Sequence, residues 1–162
     1  MTSHLVILPI LLPLAVSALL LLVGKRRGLE AFLALAASAT LFAVAVALVF
    51  ATDGPGFAAT YRLGNWPAPM AIVLVADRLS ALMVLLASTL GLLNAAFAIT
   101  RWSRIGPYYQ VLSQLLLMGL NGAFLTGDLF NLFVFFEILL AASYGLLLHG
   151  SGPKRVISGL HY

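Results

Sequence analysis

The sequence predicts an all-α integral membrane protein: a bundle of about five transmembrane helices, amino terminus extracytoplasmic, with a short extracytoplasmic loop or hairpin between helices 2 and 3. Three observations carry that reading. First, 62% of the residues are hydrophobic and only 9% are charged, against about 25% charged in a soluble domain; the mean hydropathy is +1.09. Second, the apolar residues gather into five runs, at 5–23, 31–51, 79–100, 108–126 and 129–148, each near the roughly 20 residues that cross a bilayer. Third, the charges mostly stand between those runs.

The first run holds Pro9 and Pro13 and is followed at once by Lys25-Arg26-Arg27. A secretory signal would carry its bases ahead of a shorter apolar stretch. Met1-Thr2-Ser3-His4 has neither Lys nor Arg, so the run is expected to stay as an anchor helix. Each proline removes a backbone donor, and the sequence fits either a kink or two prolines tolerated near a helix start. The second run is stopped by Thr52-Asp53-Gly54-Pro55-Gly56.

Between Phe57 and Asp77 the pattern changes. Tyr61-Arg62-Leu63-Gly64-Asn65-Trp66-Pro67-Ala68-Pro69 is too polar and too broken to span a membrane, and Trp66 suits an interfacial anchor. The short Ala71-Ile72-Val73-Leu74-Val75 fits one strand of a small hairpin, or alternatively lengthens the next helix. Asp77-Arg78 marks the water boundary of the third run. Arg101-Trp102-Ser103-Arg104-Ile105-Gly106-Pro107 forms a basic loop before the fourth, and Gly127-Asp128 turns the chain into the fifth. Gly150-Ser151-Gly152-Pro153-Lys154-Arg155 closes that run, and residues 156–162 resemble the start of a further helix. The whole reads as a single transmembrane region, 1–162.

Orientation follows from the Lys and Arg residues of the loops. Lys25, Arg26, Arg27, Arg101, Arg104, Lys154 and Arg155 fall on one side, and Arg62 and Arg78 on the other. The richer side is expected to be cytoplasmic.

The sequence pI is about 9.9, yet no basic stripe interleaved with aromatics suggests nucleic acid. With no cysteine, thiol redox chemistry, thiolate metal sites and iron–sulfur ligation are excluded. No phosphate-binding Gly-rich loop, metal-ligand cluster or nucleophile–base pair is visible. No cofactor and no metal are expected, and the chain is expected to be no enzyme in itself.

One residue demands chemistry. Glu137 lies inside the fifth run, about 12 Å from one end and 16 Å from the other, where lipid cannot solvate a carboxylate. Thirteen Leu, Ile, Val or Phe residues in that run each favour insertion by about 0.3–0.6 kcal/mol, against about 2.5–3.5 kcal/mol for a central acid. The helix therefore inserts with its acid, and the penalty is left for protonation, a cation or water to relieve. By helical geometry Ala141, Tyr144 and Gly145 share the face of Glu137, while Leu132, Phe135, Leu139 and Leu146 lie opposite. Small residues beside the acid suggest a protein-facing side.

On the fourth run Gln114 and Asn121 are seven residues apart and share a face. Measured from the turn end, Asn121 falls at about 7 Å, Glu137 at about 13 Å and Gln114 at about 18 Å. Such a ladder is a possible polar relay holding water; it also fits amides that simply bind helices together, beside Gly119 and Gly122. His149 and His161 lie at the inner boundary, where imidazole can gate protons or merely sit at the interface. Asp128 reads as a helix N-terminal carboxylate and Asn131 as a packing amide.

Gly64-Asn65-Trp66-Pro67-Ala68-Pro69, then Leu74-Val75-Ala76-Asp77-Arg78-Leu79-Ser80-Ala81, then the stretch from Gly119-Leu120-Asn121-Gly122 through Asn131 and Phe135-Phe136-Glu137 resemble the D subunit of multisubunit Mrp-type Na⁺/H⁺ antiporters. The resemblance covers nearly the whole chain. It implies a helix bundle in the bacterial inner membrane, working with the other subunits of a hetero-oligomer to couple protons to efflux of Na⁺ or another monovalent cation. Glu137 matches the family's fifth-helix glutamate on the proton route, which a lysine on a later helix partners. None of the five runs here contains a lysine, so the resemblance implies either the amino-terminal part of a longer or split subunit or a truncated product. Those subunits are related to the proton-pumping membrane subunits of complex I. A membrane subunit of a complex I or membrane-bound hydrogenase assembly is thus an alternative, as is a non-transporting bundle that serves assembly.

Overall fold

The computed structural model describes residues 2–23, 26–54, 58–65, 72–100, 108–149, 157 and 159. Trp66, the basic loop at 101–107, the segment 150–155 and His161 lie outside the described residues. Among the described residues the elements run, in order, a 3₁₀ turn (Thr2–Leu5), α1 (Leu8–Val23), α2 (Arg27–Ala51), β1 (Ala59–Arg62), a 3₁₀ turn (Leu63–Asn65), β2 (Val73–Ala76), α3 (Arg78–Thr100), α4 (Tyr109–Leu125) and α5 (Leu129–Leu148).

Helix ends follow from local chemistry. The first helix begins at Leu8 rather than Leu5, because Pro9 has no N–H to give to the Leu5 carbonyl; Thr2–Leu5 winds as a 3₁₀ turn instead. It then runs through Pro13, which lies inside it. The second helix begins four residues earlier than the apolar run, at Arg27, with Glu30 in its first turn. The Glu30 amide donates to the Arg26 carbonyl at 3.0 Å, and an acid there complements the positive end of the helix dipole. At the start of α3, Asp77 and Ser80 form a reciprocal cap. The Ser80 amide donates to Asp77 Oδ1 at 2.7 Å, and the Asp77 amide donates to Ser80 Oγ at 2.9 Å. The Asn131 amide donates to Asp128 Oδ1 at 2.6 Å, which starts α5 in the same way.

Of the two readings left open for 71–75, the structure takes the hairpin. β1 and β2 pair antiparallel, with Ala59 opposite Ala76 and Arg62 opposite Val73. The turn between α4 and α5 docks on its free edge, through a bridge between Leu74 and Thr126 and a bond from the Gly127 amide to the Val73 carbonyl at 2.8 Å. A Cβ at Gly127 would lie 2.8 Å from Val75 Cγ2, so this approach requires glycine. On the other side, His4 packs edge-on against Tyr61, with ring centroids 5.8 Å apart. The hairpin thus ties together the start of α1 and the α4–α5 turn.

Helices α1, α2, α3 and α4 close a four-membered ring, each packing on the next and α4 returning to α1. Helix α5 stands outside the ring, against α4. The core toward the hairpin is apolar, built from Val6, Ile10, Leu48, Leu74, Val84, Met118, Leu125 and Phe135. A smaller cluster of Leu20, Ala34 and Val111 lies toward the other end. Outward, α3 presents Leu79, Leu82, Leu86, Leu90, Leu93 and Phe97 at helical spacing, a surface suited to hydrocarbon.

Gly28–Ala51, Arg78–Thr100 and Leu129–Leu148 are long and apolar enough to cross a membrane. The other two helices are shorter: α1 has 16 residues and α4 has 17, or about 24 and 26 Å. Helix α4 carries its polar side chains Gln110, Ser113, Gln114 and Asn121 on buried positions, which is why it is the least apolar of the expected spans.

Candidate functional site

Glu137 is near the middle of α5 and exposed on the outside of the bundle. Its surroundings are the exposed Phe133, Val134, Phe136 and Leu140. Among the described residues no hydrogen bond or ion pair reaches its carboxylate. The expectation of a protein-facing side therefore does not hold within this chain, and the reason lies on the opposite face of the helix. Phe135 seats its ring on Gly122, and the Leu139 backbone crosses Gly119 so closely that a Cβ there would stand 2.9 Å from the Leu139 nitrogen. Buried Asn131 donates from Nδ2 to Thr126 Oγ1 at 3.1 Å. These contacts fix the rotation of α5, and Glu137 is about 200° around the helix from Phe135. Of the small residues assigned to the face of the acid, Ala141 is exposed beside it, while Gly145 packs against Leu112.

Gln114 and Asn121 lie elsewhere. Both are buried, at 1% and 0% exposure, and both face the ring. Gln114 Nε2 donates to Ser38 Oγ on α2 at 3.2 Å, and Asn121 Nδ2 donates to the Pro9 carbonyl on α1 at 3.0 Å. The ladder expected to include Glu137 is therefore not assembled in this chain. The α4 face that holds the amides is turned toward α1 and α2, whereas Glu137 is on the outer side of α5.

The bond to Pro9 has a covalent origin. In an α-helix the carbonyl of residue 9 accepts the amide of residue 13, and here residue 13 is proline, with no amide hydrogen. Asn121 supplies the missing donor. Leaving that carbonyl unpaired in the interior would cost about 1–3 kcal/mol.

Beside several buried serines, Gln110 and Glu30 escape the sequence reading. Gln110 is 1% exposed and Glu30 is 7% exposed. Both carry a helical signal: Gln110 lies one turn before Gln114, and Glu30 precedes Ala34, Ser38, Leu41, Ala45 and Leu48 at three- and four-residue steps, all buried. That signal is hidden at Glu30 because Lys25-Arg26-Arg27 beside it reads as loop.

Toward the amino-terminal end of α4, Tyr109 donates its hydroxyl to Asn94 Oδ1 at 2.7 Å, and Asn94 Nδ2 donates to Ser113 Oγ at 3.3 Å. His149 lies beside Tyr109, with ring centroids 5.9 Å apart. At the hairpin end, Arg78 pairs with Asp53 at 3.1 Å, both largely exposed. The bond from the Ser80 amide, then that from the Ser80 hydroxyl, holds the Asp77 carboxyl below its ordinary value. Among the described residues no group of three His, Cys, Asp or Glu side chains could hold a metal ion.

Comparisons with known proteins find relatives of this chain. The chain matches no protein-family model. It is 57% identical over 99% of its length to the D subunit of a probable K⁺/H⁺ antiporter of Rhizobium meliloti, and 42% identical over 99% to the D subunit of the Na⁺/H⁺ antiporter of Alkalihalophilus pseudofirmus. The chain spans about a third of the length of these relatives, 31% and 33% respectively. Among solved structures, a chain of the Mrp complex from Dietzia sp. DQ12-45-1b superposes with a TM-score of 0.89 at 34% identity, covering 98% of this chain and 30% of that one. A chain of the membrane-bound sulfane sulfur reductase, an archaeal respiratory membrane complex, also superposes at 0.89, with 26% identity, covering 97% of this chain and 33% of that one.

Proposed function

Because the chain belongs to the D-subunit family of Mrp-type antiporters, we propose that it works as part of a multisubunit monovalent cation/proton antiporter in the bacterial cell membrane. In this reading it is the amino-terminal part of the subunit, its amino terminus and hairpin are outside the cytoplasm, and Glu137 carries the proton. The observation that carries the assignment of Glu137 is its position: an acid in mid-span on an exposed face flanked by phenylalanine and leucine. Lipid against that face would leave the carboxylate unsolvated. The rest of the subunit, or a neighbouring one, is therefore expected to cover it and to supply the group that exchanges protons with it.

A respiratory membrane subunit is the second reading, and the equally close superposition on a chain of an archaeal respiratory complex favours it. The higher sequence identity to antiporter subunits favours antiport. Energised inverted vesicles holding the complete complex separate the two. Added Na⁺ or K⁺ should dissipate the pH gradient, and vesicles whose complex lacks this subunit should not respond. Proton pumping driven by an electron donor, with no requirement for the cation, would support the respiratory reading instead.

A further inference from the structure

The seam where α4 packs on α1 and α2 contains more polar atoms than the described residues partner. Three are buried without a hydrogen bond: Gln110 Nε2, Gln114 Oε1 and Asn121 Oδ1. Residues 110, 114 and 121 fall within about 40° of one another around α4, so all three look the same way. Across from them lie Ser38 of α2, 1% exposed, and the Pro9 carbonyl of α1.

Turning the amides over does not remove the surplus. Asn121 must keep its NH₂ toward the Pro9 carbonyl, since two carbonyl oxygens would repel, so its free end is necessarily the oxygen. Gln114 has one end on the Ser38 hydroxyl, and whichever end that is, the other is left over. A buried amide atom is normally paired with protein or with ordered water.

We propose that this seam binds water at two places: an inner site shared by Gln110 and Gln114, and an outer site at Asn121. The chemistry selects water over an ion. The free ends include both acceptors and a donor, which water can serve together. Asn121 and Gln114 are separated by seven residues, or about 10 Å along the helix, too far to ligate one cation. Between them α4 carries only Leu115, Leu116, Leu117, Met118, Gly119 and Leu120, so no polar side chain of this helix links the two sites, and Leu117 stands one turn from Gln114. The seam therefore holds separate polar pockets within the ring, on the opposite side of α4 from α5 and Glu137.

Two measurements on the complete complex with its full-length subunit test this. A map that resolves ordered water should show density about 2.7–3.2 Å from Gln114 Oε1 and from Asn121 Oδ1. Finding either oxygen bonded to a protein group, or facing apolar atoms alone, would overturn the proposal. Radiolytic hydroxyl-radical labelling on the millisecond scale reads the same sites in solution, because bound water generates the radical next to the side chain it touches. Leu117 should be labelled despite its burial, and Gln110→Leu with Gln114→Leu should reduce that labelling severalfold. Labelling unchanged in the double variant would contradict it. Neither measurement reads transport, so a negative result leaves the role proposed for Glu137 where it stands.

Discussion

Asn121 does for the Pro9 carbonyl what the amide of residue 13 would do if it were not proline. The coupling between a side chain of α4 and an imino acid of α1 is directly measurable. Asn121→Leu should destabilise the protein by about 1–3 kcal/mol, the cost of an unpaired buried polar group, read as a lower apparent Tm of the purified complex. In a Pro13→Ala background the helical donor returns, and the same substitution should cost clearly less. A non-additive cycle of this kind identifies a shared partner; equal losses in both backgrounds would show that the bond contributes nothing. Glu137 is a contrasting residue. Its place near the middle of α5 and its apolar neighbours were legible, because both follow from counting along one helix. Its facing was not, since apolar residues surround α5 on all sides and no amphipathic stripe marks the packed face.

At the scale of elements, the pair α4–α5 depends on glycines that admit a backbone and a ring. Gly119→Ala would put a Cβ 2.9 Å from the Leu139 nitrogen, and Gly122→Ala would drive one into the Phe135 ring. The Leu139 backbone cannot rotate aside and the Phe135 ring is buried, so each should cost about 1–3 kcal/mol, the range of overpacked cores. Gly28→Ala meets nothing within 4 Å and serves as the control, with Tm unchanged or slightly raised. The Asp77 cap on α3 makes a separate, pH-dependent prediction. Asp77→Ala should destabilise the start of α3 by about 0.5–2 kcal/mol, seen as faster hydrogen exchange at the Leu79 and Ser80 amides. The folded state holds this carboxyl low, so its contribution is complete above the unfolded value of about 3.9. It is lost as pH falls through the lower folded value. Parent and variant should differ at neutral pH and converge in acid; a gap that persists in strong acid would contradict the cap. The apolar runs located the helices because hydropathy and length decide what a membrane accepts. The ends of α1 and α2 shifted because Pro9 withholds a donor and because Arg27 and Glu30 wind into helix where their charge suggests loop. The hairpin stood as one of two options until its docking on the Thr126–Gly127 turn decided it, a contact between segments some fifty residues apart that no local pattern contains.

For the whole molecule, the α1–α4 ring is closed, and among the described residues α5 packs on α4, with Gly159 against its end at Leu148 and Tyr144. Its exposed face carries Leu129, Phe130, Phe133, Phe136 and Leu140 together with Glu137, and the chain spans about a third of the length of its relatives. The proposed orientation has its own test in cysteine accessibility from either side of the membrane. Lys25→Cys, Ser103→Cys and Lys154→Cys should react from the cytoplasm and Asn65→Cys from outside. Labelling of position 65 from the cytoplasm would invert the topology. The central claim, that Glu137 moves protons, is tested most directly by Glu137→Gln in the complete complex. Glutamine keeps the size and hydrogen bonding of the acid but can neither release a proton nor hold a charge. Cation-driven pH change in inverted vesicles, with subunit levels matched by immunoblot, should fall nearly to background in Glu137→Gln and be partly retained in Glu137→Asp; a Glu137→Gln complex that assembles normally and transports at the parental rate would contradict the account.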